Sequence, residues 1–305
     1  MARKRLIASL MLLCVSLIWG AASPVVKNTL TWFDPWLFLT YRFFLSALIA
    51  IPYLFVTQTP FPKKSSQRLL LLTTSIISAP LTLFLFFEAL TKTTALSGSL
   101  ITATGPLFLI VGGVLFFRDT IRKNEKLGII ITILGTLLTV FGPLLLNGQM
   151  DTLGNFEGNA LMLLAVMTDI IAALLSKEAM KKGINATLVA QFQFIVGFVV
   201  FVPLLLMRQS PEMVITTLIN APLAAHLGAI FMAVFSGTIA YTIRNIALKT
   251  IEVSESAIYQ YLQPLWSAIL AVLWLRESLT SSYIIGGIVI AIGVIIAEQK
   301  QRTRS

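Results

Sequence analysis

Residues 89–135, ALTKTTALSGSLITATGPLFLIVGGVLFFRDTIRKNEKLGIIITILG, align without a gap on residues 247–293, ALKTIEVSESAIYQYLQPLWSAILAVLWLRESLTSSYIIGGIVIAIG, at a constant offset of 158. Ala89-Leu90 falls on Ala247-Leu248, Pro106-Leu107 on Pro264-Leu265, and Val114-Leu115 on Val272-Leu273. Arg118-Asp119 falls on Arg276-Glu277, and Gly128 and Gly135 fall on Gly286 and Gly293. The chain therefore holds two related units. If each contains an odd number of membrane helices, the second enters the bilayer from the opposite side, an inverted repeat about an axis in the membrane plane. Transport is the functional class this arrangement points to first.

Composition requires the membrane. At 57% hydrophobic, 12% charged and a mean hydropathy of +0.88, the apolar content exceeds what a soluble core of 305 residues can hide. Ten stretches can cross a hydrocarbon layer of roughly 30 Å at about 1.5 Å per residue. The first five are Leu6 to Val26, Trp36 to Phe55, Leu69 to Leu90, Leu96 to Phe117 and Leu127 to Leu146. The second five are Gly158 to Ala179, Ala186 to Met207, Ala221 to Ile243, Ala257 to Leu275 and Ser282 to Ala297. The expected fold is all-α and integral to the membrane: ten transmembrane helices as two inverted five-helix repeats. The repeats cover residues 1–147 and 155–305, with the boundary between Pro143 and Glu157, where Gly, Asn and Asp collect.

Basic residues give the orientation. With the N-terminus in the cytoplasm, 18 of the 23 Lys and Arg fall on the inner side, among them Arg3, Lys4, Arg5, Lys63, Lys64, Arg68, Arg118, Lys177, Lys181 and Lys182. Lys27, Lys92, Arg208 and Arg276 fall outside, and Arg42 lies within a span. Both termini are expected in the cytoplasm. The net charge of +10 then reads as basic loops facing anionic lipid, with no nucleic acid as partner. The first 23 residues also resemble a cleavable signal peptide, a reading set aside because cleavage would delete a helix the repeat requires. Cys14, the only cysteine, can form no intramolecular disulfide.

Several pieces in this order resemble the drug/metabolite transporter superfamily, in its EamA-type branch of ten-helix carriers. They are Trp19-Gly20 with Lys27, Tyr41-Arg42-Phe43, Phe87-Glu88-Ala89-Leu90, and the fourth and ninth spans with a central Pro ending in Arg118-Asp119 and Arg276-Glu277. Glu277-Ser278-Leu279-Thr280, leading to Gly286 and Gly293, completes the pattern. The resemblance implies a secondary carrier of small metabolites, amino acids or drugs in a bacterial inner membrane, working by export or exchange. It implies a cavity lined mainly by the first, third, fourth, sixth, eighth and ninth spans, and no particular substrate.

Candidate contacts follow from broken helices. Thr104-Gly105-Pro106 and Leu262-Gln263-Pro264 occupy corresponding positions, and each Pro frees the carbonyl four residues earlier, at Thr102 and Gln260. The alternative is a kink that serves packing alone. In the ninth span Tyr259, Gln263 and Trp266 share a face, with Gln260 beside them. Trp19, Gly20, Ser23 and Lys27 form a face of the first span with Ser16, either lining a cavity or letting another helix approach closely. Tyr241 heads a comparable face of the eighth span with Ser236, Gly237, Ala240 and Arg244.

Asp169 is the sharpest single residue. It lies near mid-membrane, where an ionised carboxylate costs several kcal/mol unless paired or wetted. It is a candidate for substrate contact and for proton coupling. It could instead form a fixed ion pair with Arg42, or be hydrated by the cavity. Glu88, near the outer end of the third span, is a second coupling candidate, although snorkelling to water favours a structural role.

The remaining features exclude other chemistry. His226 has no Cys, Asp or Glu within a helical turn, so no metal site can be built on it. No phosphate loop, nucleophile elbow or facing carboxylate pair is present, which supports neither ATP-driven pumping nor an enzyme, and no cofactor is implied. Trp32, Phe33, Trp36 and Trp274 read as an interfacial aromatic belt. Many aromatics and few cavity charges favour small zwitterionic or moderately apolar solutes. The Gly112-Gly113 and Gly286-Gly287 pairs suit either packing within a monomer or a homodimer contact. Other classes with such a composition are an uptake carrier of the same fold, a non-transporting membrane scaffold or receptor, and a lipid-modifying membrane enzyme.

Overall fold

At membrane depth no water is available to backbone amides, so an apolar segment satisfies them within itself as a helix. The computed structural model describes residues 2–92, 101–102, 104–121, 123–147, 156–263, 265–267, 269–270 and 281–298, and the regular structure among them is helical. The first half comprises α1 (Ala2–Thr29), α2 (Pro35–Val56), α3 (Ser65–Ile76), a π-helical segment (Ile77–Leu81), α4 (Thr82–Lys92), α5 (Gly105–Phe117) and α6 (Lys123–Asn147). The second comprises α7 (Phe156–Lys181), α8 (Ala186–Leu206), α9 (Pro211–Asn220), α10 (Leu223–Ala233), a second π-helical segment (Val234–Ile239), α11 (Ala240–Ala247), α12 (Val253–Gln260) and α13 (Ser281–Glu298).

Among the described residues six stretches are long and apolar enough to cross a membrane: Lys4–Thr29, Pro35–Val56, Ser65–Lys92, Phe156–Lys181, Ala186–Leu206 and Leu223–Ala247. They coincide with the first three spans of each half read from the sequence. The fourth, fifth and tenth are represented by α5, α6 and α13, and the ninth by α12. Trp274, Arg276, Glu277 and Pro264 lie outside the described residues. Local chemistry sets several helix ends. Asp34 caps α2 by accepting from the amides of Trp36 and Leu37, with Pro35 behind it, and Asn185 caps α8 through Thr187. The helix α9 stands where the sequence was read as a loop. Ser210 and Pro211 start it and none of its residues is buried, so only its capping residues announced it.

The main helix contacts join one half of the chain to the other: α6 with α13, α2 with α8, α4 with α7, α1 with α11 and α5 with α12. The α6–α13 contact is reciprocal. A Cβ on Gly135 would come within 2.9 Å of the Gly286 carbonyl oxygen and 2.8 Å of the Ile290 nitrogen. A Cβ on Gly293 would come within 2.8 Å of the Gly128 oxygen and of the Thr132 nitrogen. Gly128 meets Gly293 while Gly135 meets Gly286, so the two helices run antiparallel. Gly112 and Gly287 face Leu174 and Leu265 of the same chain, so these glycines serve packing within one molecule.

The two ends of the bundle are distinct. At one end Arg5 pairs with Glu255 at 2.8 Å, Gln67 donates to the Lys182 carbonyl at 2.7 Å, and Lys181 lies 4.2 Å over the Phe117 ring. At the other, Lys92 pairs with Glu157, Gln209 donates to Asp34 at 2.7 Å, and Arg208 lies 3.9 Å over Trp36. This sorting matches the two sides assigned from the basic residues. The aromatic belt needs correction. Trp32 is exposed, but Phe33 is buried, packing edge-on against Tyr41 and His226, because the turn after α1 folds it inward.

Candidate functional site

Both Pro-containing spans are interrupted at corresponding places. In the first half the helix restarts at Gly105 after Thr104, with Pro106 in its first turn, where a missing N–H costs nothing. In the second, α12 ends at Gln260 and the chain turns through Tyr261 and Leu262, whose amides reach back only three residues, to Ile258 and Tyr259. A second pair of irregularities was not foreseen. The π-helical segments Ile77–Leu81 and Val234–Ile239 overlap when superimposed at the 158-residue offset. Pro80 in the first was the only sequence signal, and Thr238 stands at its counterpart. Such bulges free backbone carbonyls inside a helix. The Trp19 indole N–H donates to the carbonyl of Ser236, within the second of these segments, at 3.0 Å.

A narrow cleft of about 10 Å³, room for about one water molecule, lies beside this contact. Leu12, Val15, Ser16 and Trp19 of α1 line it, with Arg244 of α11 and Ser256, Tyr259, Gln260 and Gln263 from the ninth span. Four of the residues singled out in the sequence, Trp19, Tyr259, Gln260 and Gln263, thus share one cleft. Trp266 stands at its edge, donating its indole N–H to Ser16 at 3.1 Å. Gly20 settles the dual reading of α1 in part: a Cβ there would lie 2.6 Å from the Trp266 Cβ, so α1 both lines the cleft and packs tightly against the ninth span. Beneath the cleft, toward the basic end, sits the Arg5–Glu255 pair.

Tyr241 is buried behind Trp19, the ring centroids 5.2 Å apart at an interplanar angle of 64°, and it also meets Phe194 edge-on. It stands in the combined electrostatic field of Asp169, Arg42 and Arg244. Asp169 forms no ion pair with Arg42 among the described residues; the cation whose field reaches it is Arg244. The guanidinium of Arg244 also lies 5.3 Å from the centroid of the Trp19 ring. Arg42 is 1% exposed, and among the described residues its Nε and Nη1 have no hydrogen-bond partner, nor does Nη2 of Arg244. Similar depth along two helices, within about 6 Å, makes Arg42 a candidate partner of Asp169; helix rotation, which a depth count ignores, gives Asp169 the field of Arg244. Arg244 was read from the sequence only as the end of a face.

The remaining candidates lie elsewhere. Thr102 is half-buried at the interruption before α5 and outside the cleft lining. Glu88 stands near Lys92 at the opposite end from the cleft floor, away from Asp169. The side chain of Ser23 lies outside the described residues, although its backbone belongs to α1. His226 shares a 3.1 Å hydrogen bond with the Tyr41 hydroxyl.

Comparison with known proteins accords with this geometry. The EamA-like transporter family matches twice along the chain, at residues 6–141 and 156–298. An uncharacterized transporter of Archaeoglobus fulgidus is 27% identical over 96% of this chain and 97% of its own length. The uncharacterized transporter YyaM of Bacillus subtilis is 24% identical over 96% and 94%. An uncharacterized transporter of Methanothermobacter thermautotrophicus is 30% identical over 76% of this chain, a match spanning 65% of that relative. A solved crystal structure with 16% sequence identity superimposes with a TM-score of 0.75 over 98% of this chain and 99% of the other, a likeness of fold. Two family matches that together span most of the chain, on a bundle of apolar helices enclosing a polar cleft, identify a multi-pass membrane protein that belongs to the EamA-like transporter family.

Proposed function

We propose that the protein is a secondary carrier that moves a small solute by alternating access, exporting or exchanging it across a bacterial inner membrane. In this reading ten helices form two inverted five-helix repeats, residues 1–147 and 155–305, with both termini cytoplasmic. The antiparallel, reciprocal contact of Gly128 and Gly135 with Gly293 and Gly286 supports the inversion, because equivalent helices of inverted repeats must run in opposite directions. The paired interruptions at Thr104 and Leu262 and the paired π-segments support it from the backbone.

One observation carries the functional reading: a polar and aromatic cleft lies between helices of the two halves, next to irregular backbone and two buried cations. Trp19, Tyr259, Gln260, Gln263 and Trp266 would contact the solute, with Ser23 and Thr102 reached as the halves rock. Asp169 would couple movement to protons in the field it shares with Arg244 and Tyr241, and Tyr241 would meet the solute. The contact helices close within one chain, so a monomer suffices.

Reconstitution of the purified protein in liposomes tests this. Counterflow of a trapped solute, with and without a pH gradient, is expected for at least one member of a panel of organic acids, amino acids, nucleosides and cationic drugs. Tight binding without flux across the panel would make the protein a receptor instead.

A further inference from the structure

We propose that the solute is a small organic anion, its carboxylate taken first by Arg244 in the cleft and then by Arg42 behind Tyr241, its apolar body lying against Trp19 and Tyr259. The inference rests on the carrier reading and names its substrate class.

Charge balance is the argument. Arg42 is 1% and Arg244 4% exposed, so both guanidiniums have been taken out of bulk water. An arginine buried for structural reasons has its fork filled by carboxylates or carbonyls, since an unpaired buried cation costs several kcal/mol. These two are not filled among the described residues: Nε and Nη1 of Arg42 and Nη2 of Arg244 have no hydrogen-bond partner there. Among the described residues one carboxylate, Asp169, shares their surroundings, and the cation whose field reaches it is Arg244. The next acid, Glu255, is bonded to Arg5 at 2.8 Å. Two cations against one anion leave a single positive charge, which a monoanion cancels. A zwitterion brings its own cation and leaves that charge in place, and a cation adds to it. This revises the sequence reading, in which few cavity charges pointed to zwitterionic or apolar solutes; the second guanidinium came into the chamber only through tertiary packing.

Geometry supplies the rest. A planar guanidinium with free N–H groups binds a carboxylate in a bidentate fork, with a directionality an ammonium lacks. The Arg244 guanidinium lies 5.3 Å from the centroid of the Trp19 ring, and its Nη2 is buried without a hydrogen-bond partner among the described residues, a site a carboxylate would fill as the halves rock. Tyr241 packs edge-on against Trp19 and stands in the fields of both arginines. The aromatic rings of Trp19 and Tyr259 then give an apolar wall to the cleft that Arg244 lines.

The test is binding to the purified full-length protein in detergent, read by quenching of intrinsic tryptophan fluorescence, with three probes on one skeleton. They are 3-phenylpropanoate, phenylalanine, which adds an ammonium, and 2-phenylethylamine, which keeps only the ammonium. The expected result is saturable quenching by 3-phenylpropanoate, at least tenfold weaker binding of phenylalanine, and none of the amine. Arg244→Gln should weaken 3-phenylpropanoate binding at least tenfold, and Arg244→Lys should restore part of it. Arg42→Gln should act similarly if it elutes as a folded protein; where it does not, the Arg244 pair decides. Amine or phenylalanine binding as tight as that of 3-phenylpropanoate, no effect of Arg244→Gln, or no anion binding overturns the proposal. Anion binding without flux in liposomes would defeat the carrier reading and leave this one standing; flux of a cation without anion binding would do the reverse.

Discussion

Gly135 and Gly293 occupy equivalent positions in the two repeats, and each is pressed against the other repeat's backbone, Gly135 against the carbonyl of Gly286 and Gly293 against that of Gly128. In a helix with open space, Gly→Ala gains about 1 kcal/mol. Here the added carbon would lie 2.8–2.9 Å from backbone oxygen and nitrogen atoms, which cannot swing aside as a side chain can. Overpacking costs about 1–3 kcal/mol, so the substitution is expected to destabilise. Thermal unfolding in detergent should show Gly135→Ala and Gly293→Ala melting lower than the parent protein. Gly183→Asn is the control, since Gly183 has a φ of 84° and open space around its Cα.

Asp169 shares a field with Arg244 and Tyr241 near mid-membrane. Asp169→Asn keeps the volume and removes the titration. Counterflow driven by solute alone should survive, while the dependence of flux on external pH should flatten. A variant that retains the pH dependence of the parent would remove Asp169 from the coupling role.

Trp19 ties α1 to the Ser236 carbonyl in the second π-segment at 3.0 Å. Trp19→Phe keeps a ring beside Arg244 and loses the donor. A lost hydrogen bond of about 0.5–1.5 kcal/mol predicts a reduction of up to about tenfold in transport efficiency. Phe that matched Trp in liposome flux would show the indole N–H to be dispensable.

Lys177 donates to the carbonyls of Leu248 and Ile251, the latter at 3.0 Å, where the chain turns between α11 and α12. These are carbonyls at a helix end with no partner of their own in the helix. Lys177→Met keeps the apolar stem and removes the donor, and is expected to cost about 1–3 kcal/mol. A lowered melting temperature with unchanged anion affinity in the stable fraction is the outcome; unaltered melting would mean that water replaces the ammonium.

The primary structure determined much of this protein unaided. Hydropathy requires a lipid surrounding, the 158-residue offset requires two related units, and Lys and Arg placement sorts the loops to two ends, because each depends on residues near one another along the chain. Trp19, Tyr259, Gln260 and Gln263 were legible as site candidates for the same reason: aromatic and amide groups beside a Gly or Pro at membrane depth are conspicuous wherever they pack. Side-chain partnership across helices was not legible. It depends on the rotation of each helix about its axis, which gave Asp169 the field of Arg244 instead of an ion pair with Arg42, turned Phe33 into the core, and separated Glu88 from the cleft. The second π-segment, lacking the Pro that marks the first, and the two unfilled guanidiniums became visible only when both halves packed, since bulges and charge balance belong to the assembled chamber and to no single span.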